Sequence, residues 1–182
     1  RRARRPGGSS WAAGGREVCE AWRDGRGGGA AGGAGADVMP MAGGTRTVGG
    51  LGLEGLSHPR RLGLALLIRE AGLEDKAITA TSIGYTLAPR INASGRMGRA
   101  QMAVELLLTR DRERGEQLAQ ELCALNRERQ TIEGEIFRQC VDRLDRAPQK
   151  GAVLLADPEW PPGVVCIVAS RLTERDGFPA FM

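Results

Sequence analysis

The chain has 182 residues, 41% of them hydrophobic and only 4% aromatic, with a formal net charge of +4. That length holds one ordinary domain or two small ones. No apolar run reaches the roughly 18 residues of a membrane span, and no apolar signal core follows the basic start Arg1-Arg2-Ala3-Arg4-Arg5.

Residues 1 to about 36 are low in complexity. The run from Gly25 to Gly35 is almost all glycine and alanine. Ordering it costs much backbone entropy and buries little, so disorder is expected. From Leu51 the character changes. Leu62, Leu64, Leu66, Leu67 and Ile68 lie in a helix-like run with a glycine stop near Ala71-Gly72. Lys76 to Leu87 reads as a second short helix, capped by Thr79 or Thr81. Pro89 is expected to push Ala88 out of the helical region, which makes Arg90 to Gly98 a loop. Helix resumes from Met102 to Leu108.

Thr109 and Asp111 are good caps for a long helix after them. From Arg112 to about Leu144 the pattern is helical and free of proline. Leu118, Leu122, Leu125, Thr131 or Ile132, and Ile136 form a narrow apolar stripe between charges. We read a domain connector here, ended by Pro148, in preference to a coiled coil. Gly151 to Ala156 reads as a short buried strand, followed by a turn-rich loop from Asp157 to Gly163. Val164 to Glu174 then reads as a helix closed by Gly177. Phe178 to Met182 reads as a strand just starting, and the chain does not begin with methionine; we expect a fragment. Strand, loop, helix, strand is the opening of an α/β domain.

Three features carry chemistry. Arginine far outnumbers lysine. Its planar fork suits phosphate oxygens, so the basic balance leans toward nucleic acid. The segment Arg90 to Arg99 places three arginines, Asn92, Ser94 and two glycines within ten residues, which fits neither a Walker loop nor a dinucleotide fingerprint. Ser170 and Arg171 lie two turns into the last helix, where a hydroxyl and a guanidinium together suit a phosphate. Of Cys19, Cys123, Cys140 and Cys166 no two have C-x-x-C spacing, so buried reduced thiols are expected. His58, beside Pro59, reads as a solvated side chain.

The segment Ala88-Pro89-Arg90-Ile91-Asn92-Ala93-Ser94-Gly95-Arg96-Met97-Gly98, followed by Ala103 to Thr109, resembles the one that marks RecJ exonucleases of the DHH phosphoesterase superfamily. Leu122 to Gln130 is similar to that family's connecting helix. Pro162 to Val165 and Ile167 to Leu172 resemble the start of its DHH-associated domain. Ala36-Asp37-Val38-Met39-Pro40 resembles its last metal-binding motif. These blocks stand in the family's order across about residues 36 to 182.

The resemblance implies an α/β fold: the mostly helical end of a DHH domain (36–111), a connecting helix (112–147) and the start of an α/β DHH-associated domain (150–182), after a disordered segment (1–35). It implies the carboxy-terminal part of a 5′-to-3′ single-stranded-DNA exonuclease of recombination and repair, using Mn2+ or Mg2+. Asp37 would be a catalytic metal ligand. Arg90, Asn92 and Arg96 would line the DNA path, and Ser170 and Arg171 would hold phosphate. Single-stranded DNA is the expected partner, with a helicase or single-strand-binding protein beside it, in the cytoplasm. The family's Asp-His-His triplet is absent, Pro161 stands where the family has histidine, and Cys166 where it has glycine. One aspartate cannot hold a two-metal site, so the chain alone is expected to be inactive. The rivals are a DHH phosphodiesterase of short oligonucleotides or cyclic dinucleotides, a non-catalytic nucleic-acid scaffold, and a coiled-coil adapter.

Overall fold

The computed structural model describes residues 59, 61–147 and 151–182. The Gly/Arg-rich segment, Asp37, His58, Cys19 and Pro148 lie outside them. The chain divides into two compact units, one ending at Ala88 and the other beginning at Pro89.

In the first unit, α1 spans Leu62–Glu70 and buries Leu66, Leu67 and Ile68. Gly63, Leu66 and Leu67 stand three and four residues apart on one side, and Ile68 widens the buried face. Gly72, at φ +71°, turns the chain out of the helix, and its N–H donates to Arg69 O. Only glycine takes that backbone without strain. The next helix starts later than expected. Its first turn, α2, is Ala80–Ser82, and Thr79 is the cap: Thr79 Oγ1 accepts from Ser82 N–H while Ser82 Oγ accepts from Thr79 N–H. A π-helical turn, Ile83–Leu87, follows.

Two sequence expectations fail around Pro89. Ala88 is right-handed helical (φ −59°, ψ −43°), and its N–H donates to Ile83 O. The expected loop is a helix, α3, at Ala88–Arg96. Pro89 follows the π-helical turn without a break in the helical run, so its ring and missing N–H fall where the hydrogen-bond ladder is already shifted from the i−4 to the i−5 carbonyl. Ala93 and Ser94 are buried on the inner side, and Ser94 Oγ donates to Ile91 O at 2.6 Å. The helix ends through Gly98 at φ +72°, with Arg99 N–H donating back to Ser94 O at 2.6 Å. That wrapped ending satisfies carbonyls that would otherwise be orphaned.

Helix α4, Ala100–Leu108, and helix α5, Arg112–Arg146, form a hairpin across Thr109–Asp111. Asp111 caps α5 by accepting from the N–H groups of Glu113 and Arg114. Arg114 clasps Glu105 of α4 through both carboxylate oxygens, at 2.6 and 2.9 Å. The 35 residues of α5 give it a length of about 52 Å. Its buried stripe is broader than expected: Cys123, Asn126, Cys140 and Leu144 join Leu118, Leu122, Leu125 and Ile136. Ile132, half-buried, takes the position that Thr131 leaves to solvent. The stripe packs on α4 and on the later helix α6, so its core positions are covered within the chain.

The strand after α5 is only Val153–Leu154, β1, and only Val153 is buried. Helix α6, Pro162–Asp176, crosses to β2, Ala180–Phe181, which pairs parallel with β1 (Val153 beside Ala180, Leu154 beside Phe181). Gly177 ends α6 in the left-handed region, as its place in the sequence predicts. Val164, Val168 and Leu172, four apart, have no exposed surface. They pack with Ile136, Cys140, Leu144, Val153 and Trp160. Each such aliphatic side chain contributes roughly 1.5–3 kcal/mol on full burial. The described part is thus mostly helical with one small parallel sheet.

Candidate nucleic-acid interface

The residues singled out in the sequence fall into two groups around α6. The first is the end of α3. Arg96 Nη1 donates to Gly163 O at 3.0 Å and to Cys166 Sγ at 3.2 Å. The backbones are equally close: a Cβ on Gly163 would lie 2.1 Å from Arg96 O. Glycine at the start of α6 is therefore a condition of this contact. Arg96 ties the two helices together and keeps further guanidinium N–H groups for another acceptor. Cys166 is exposed, against the expectation of a buried thiol, whereas Cys123 and Cys140 are buried. Burial raises the Cys140 thiol above its ordinary value.

Ser170 lies one turn beyond Cys166 and is exposed, with its hydroxyl donating back to Cys166 O at 3.1 Å. Arg90 is half-buried and its Nε donates to Cys123 Sγ of α5 at 3.3 Å. Asn92 is exposed. Gly95, between them and Arg96, has open space around it.

The second group centres on Arg171. Its Nη1 donates to Glu133 Oε1 at 2.9 Å, and its guanidinium stacks on the Phe137 ring with 4.1 Å to the centroid. Arg129 donates to the other oxygen of Glu133 and, at 2.9 Å, to Asn126 Oδ1. Sequence reasoning missed Asn126, Arg129, Glu133 and Phe137. Their three- and four-residue spacing places them on one side of α5, and that spacing was the available signal. Arg171 lies five residues beyond Cys166, so about 7.5 Å along α6 and about 140° around it. The structure thus brings Arg96 and Arg171 to one helix but on different sides of it, with Ser170 on the Arg96 side.

The other end of α5 carries a different cluster. Arg143 stacks over Trp160 at 4.9 Å and donates to Asp157 Oδ2 at 2.5 Å. The Arg143 hydrogen bond, and then the Glu159 N–H, hold the Asp157 carboxyl below its ordinary value. Gln139 accepts from the Trp160 indole at 2.9 Å. A shallow groove there carries Glu135, Asp157 and Glu159, a lining that repels a polyanion. Among the described residues, no three His, Cys, Asp or Glu side chains are grouped to hold a metal ion, and no helix is long and apolar enough to cross a membrane.

No protein-family model matches the chain. Curated relatives do. The chain is 38% identical over 148 residues to the single-stranded-DNA-specific exonuclease RecJ of Bacillus subtilis, covering 81% of this chain and 19% of that protein. It is 40% identical over 147 residues to the RecJ of Thermus thermophilus, covering 81% and 21%. The RecJ of Escherichia coli is 35% identical over 150 residues, covering 77% and 25%. Among solved structures, Thermus thermophilus RecJ in complex with Mn2+ matches with a TM-score of 0.79 at 39% identity, over 85% of this chain and 23% of that one. The same protein in complex with Mg2+ gives 0.78. The chain spans about a fifth to a quarter of the length of these curated relatives. Over the stretch that matches, the chain is similar in sequence and in backbone alike to these RecJ exonucleases.

Proposed function

We propose that this chain is the strand-holding part of a metal-dependent 5′-to-3′ single-stranded-DNA exonuclease of recombination and repair, acting in the cytoplasm beside a helicase or a single-strand-binding protein. The observation that carries this reading is the coincidence of 39% sequence identity with a TM-score of 0.79 on one stretch covering 85% of the chain. Mn2+ or Mg2+ would supply Lewis acidity and a bound water for phosphodiester hydrolysis. Asp37 is the proposed ligand in this chain.

The described residues supply grip. Arg171, Arg96 and Asn92 offer donors at or near the surface, and Ser170 adds a hydroxyl once it turns from Cys166 O. Arg90 backs α3 from inside, against Cys123. Guanidinium forks bind phosphates without reading sequence, which suits an enzyme that consumes a strand of any sequence.

Two measurements on the 182-residue chain test the reading. Anisotropy with a labelled oligonucleotide should show binding to a single strand that weakens as salt rises, and stronger than to duplex of equal length. A manganese nuclease assay on the same chain should show no turnover. Equal affinity for duplex would refute the strand-holding role, and turnover abolished by Asp37→Ala would refute the division of labour between grip and metal.

A further inference from the structure

We infer that Glu133 is a positioning residue for Arg171: a relay of side chains on α5 holds that guanidinium with one face free for a phosphate. The inference rests on the strand-holding role proposed above and deepens it.

The relay begins at Asn126, which is 4% exposed. Asn126 Oδ1 accepts from Arg129, Arg129 donates to Glu133 Oε2, and Glu133 Oε1 accepts from Arg171 across the gap to α6. Phe137, one turn further along α5, presents its ring to the same guanidinium at 4.1 Å. Arg171 is thus fixed in two ways: one hydrogen bond sets its direction and the ring sets its plane. Arginine otherwise loses considerable rotamer entropy when it binds an anion. Held in place beforehand, it has less to lose at the moment of contact.

Charge argues the same way. Two guanidinium groups share one carboxylate, which leaves one positive charge without a partner in the cluster. Exposure decides where it is felt. Arg129 and Glu133 are 11% and 12% exposed at the side chain, against 44% for Arg171. The buried arginine neutralises Glu133, so the carboxylate orients Arg171 without cancelling it. A carboxylate paired with Arg171 alone would instead compete with an incoming phosphate. Arg171 uses one of its five N–H groups on Glu133, and the others remain for a ligand.

The test measures affinity of the 182-residue chain for a fluorescein-labelled oligothymidine strand across a salt series. Arg171→Ala should weaken binding about tenfold, the worth of one charge-assisted hydrogen bond, and reduce the salt slope by about 0.7. Glu133→Gln should weaken binding several-fold in the parent chain and have no effect when Arg171 is already alanine. That dependence is something a merely structural role would not show. Phe137→Leu, which keeps apolar volume but removes the ring face, should show the same pattern, and it carries the test if Glu133→Gln fails to fold. If Arg171→Ala weakens binding but Glu133→Gln or Phe137→Leu binds as well as the parent or better, the relay is refuted and the phosphate contact stands. If Arg171→Ala leaves affinity and salt slope unchanged, the phosphate contact is refuted and the relay with it.

Discussion

Gly163→Ala places two opposing effects in direct competition. Alanine in a helix is better than glycine by about 0.5–1 kcal/mol, because glycine loses more backbone freedom on folding. Helix propensity alone therefore predicts a more stable chain. The packing predicts the reverse. The new Cβ would lie 2.1 Å from Arg96 O, 2.8 Å from its carbonyl carbon and 2.9 Å from its Cα. Real Cβ atoms essentially never come within 3.0 Å of such neighbours, and the obstruction is backbone, which cannot swing aside like a side-chain end. The end of α3 and the start of α6 must separate by roughly 1 Å, an overpacking strain of about 1–3 kcal/mol. That shift also pulls Arg96 Nη1 from Gly163 O and Cys166 Sγ, at about 1 kcal/mol more. Packing wins by about 1–3 kcal/mol, and the substitution destabilises. Urea unfolding of the 182-residue chain, followed by far-ultraviolet circular dichroism, should show a midpoint lower by roughly 0.5–1.5 M at unchanged slope. A midpoint equal to or above that of the parent would show that the backbones of α3 and α6 do not meet at this glycine.

The same part of the chain supplies two further tests. Leu172→Ala empties a site with no exposed surface between α5 and the small sheet, and should cost about 2–5 kcal/mol in the same denaturation measurement; a cost below about 1 kcal/mol would mean that this core is loosely packed. Asp157 is held below its ordinary value by Arg143. Its contribution to stability is therefore fully present above the ordinary carboxyl range, and it is lost as the pH falls through the lowered folded-state value. Asp157→Asn should lower the melting temperature near neutral pH and flatten its fall on acidification; an acid limb unchanged from the parent would show that the pairing with Arg143 does not persist in solution.

Much of the helical order is legible in the sequence because local rules act strongly there. Asp111 announces the start of α5, the three- and four-residue spacing of Leu118, Leu122 and Leu125 marks its buried side, and Gly72 and Gly177 mark two stops. The reading fails at Pro89 and Arg90 to Gly98. Proline and glycine are breakers by local rules, but Pro89 falls directly after a π-helical turn whose ladder is already shifted, and burial of Ala93 and Ser94 outweighs the cost of a glycine within α3. The expected six-residue strand shrinks to Val153–Leu154, which pairs among the described residues with the two-residue β2.

The candidate interface divides in the same manner. Arg96 stands out in the sequence because arginines among glycines suit phosphate, and Ser170 and Arg171 because a hydroxyl and a guanidinium together do. What those groups do depends on neighbours far away along the chain. Arg96 meets Gly163 and Cys166, 67 and 70 residues on, and Arg171 meets Glu133 38 residues back. Caps, stripes and stops depend on residues within a turn or two, and for that reason the sequence alone determined where α1, α4, α5 and α6 lie and which residue types could meet a phosphate. Which arginine ties two helices together and which keeps a face open is set by side chains that meet only when α3, α5 and α6 pack, so only the tertiary structure decided it.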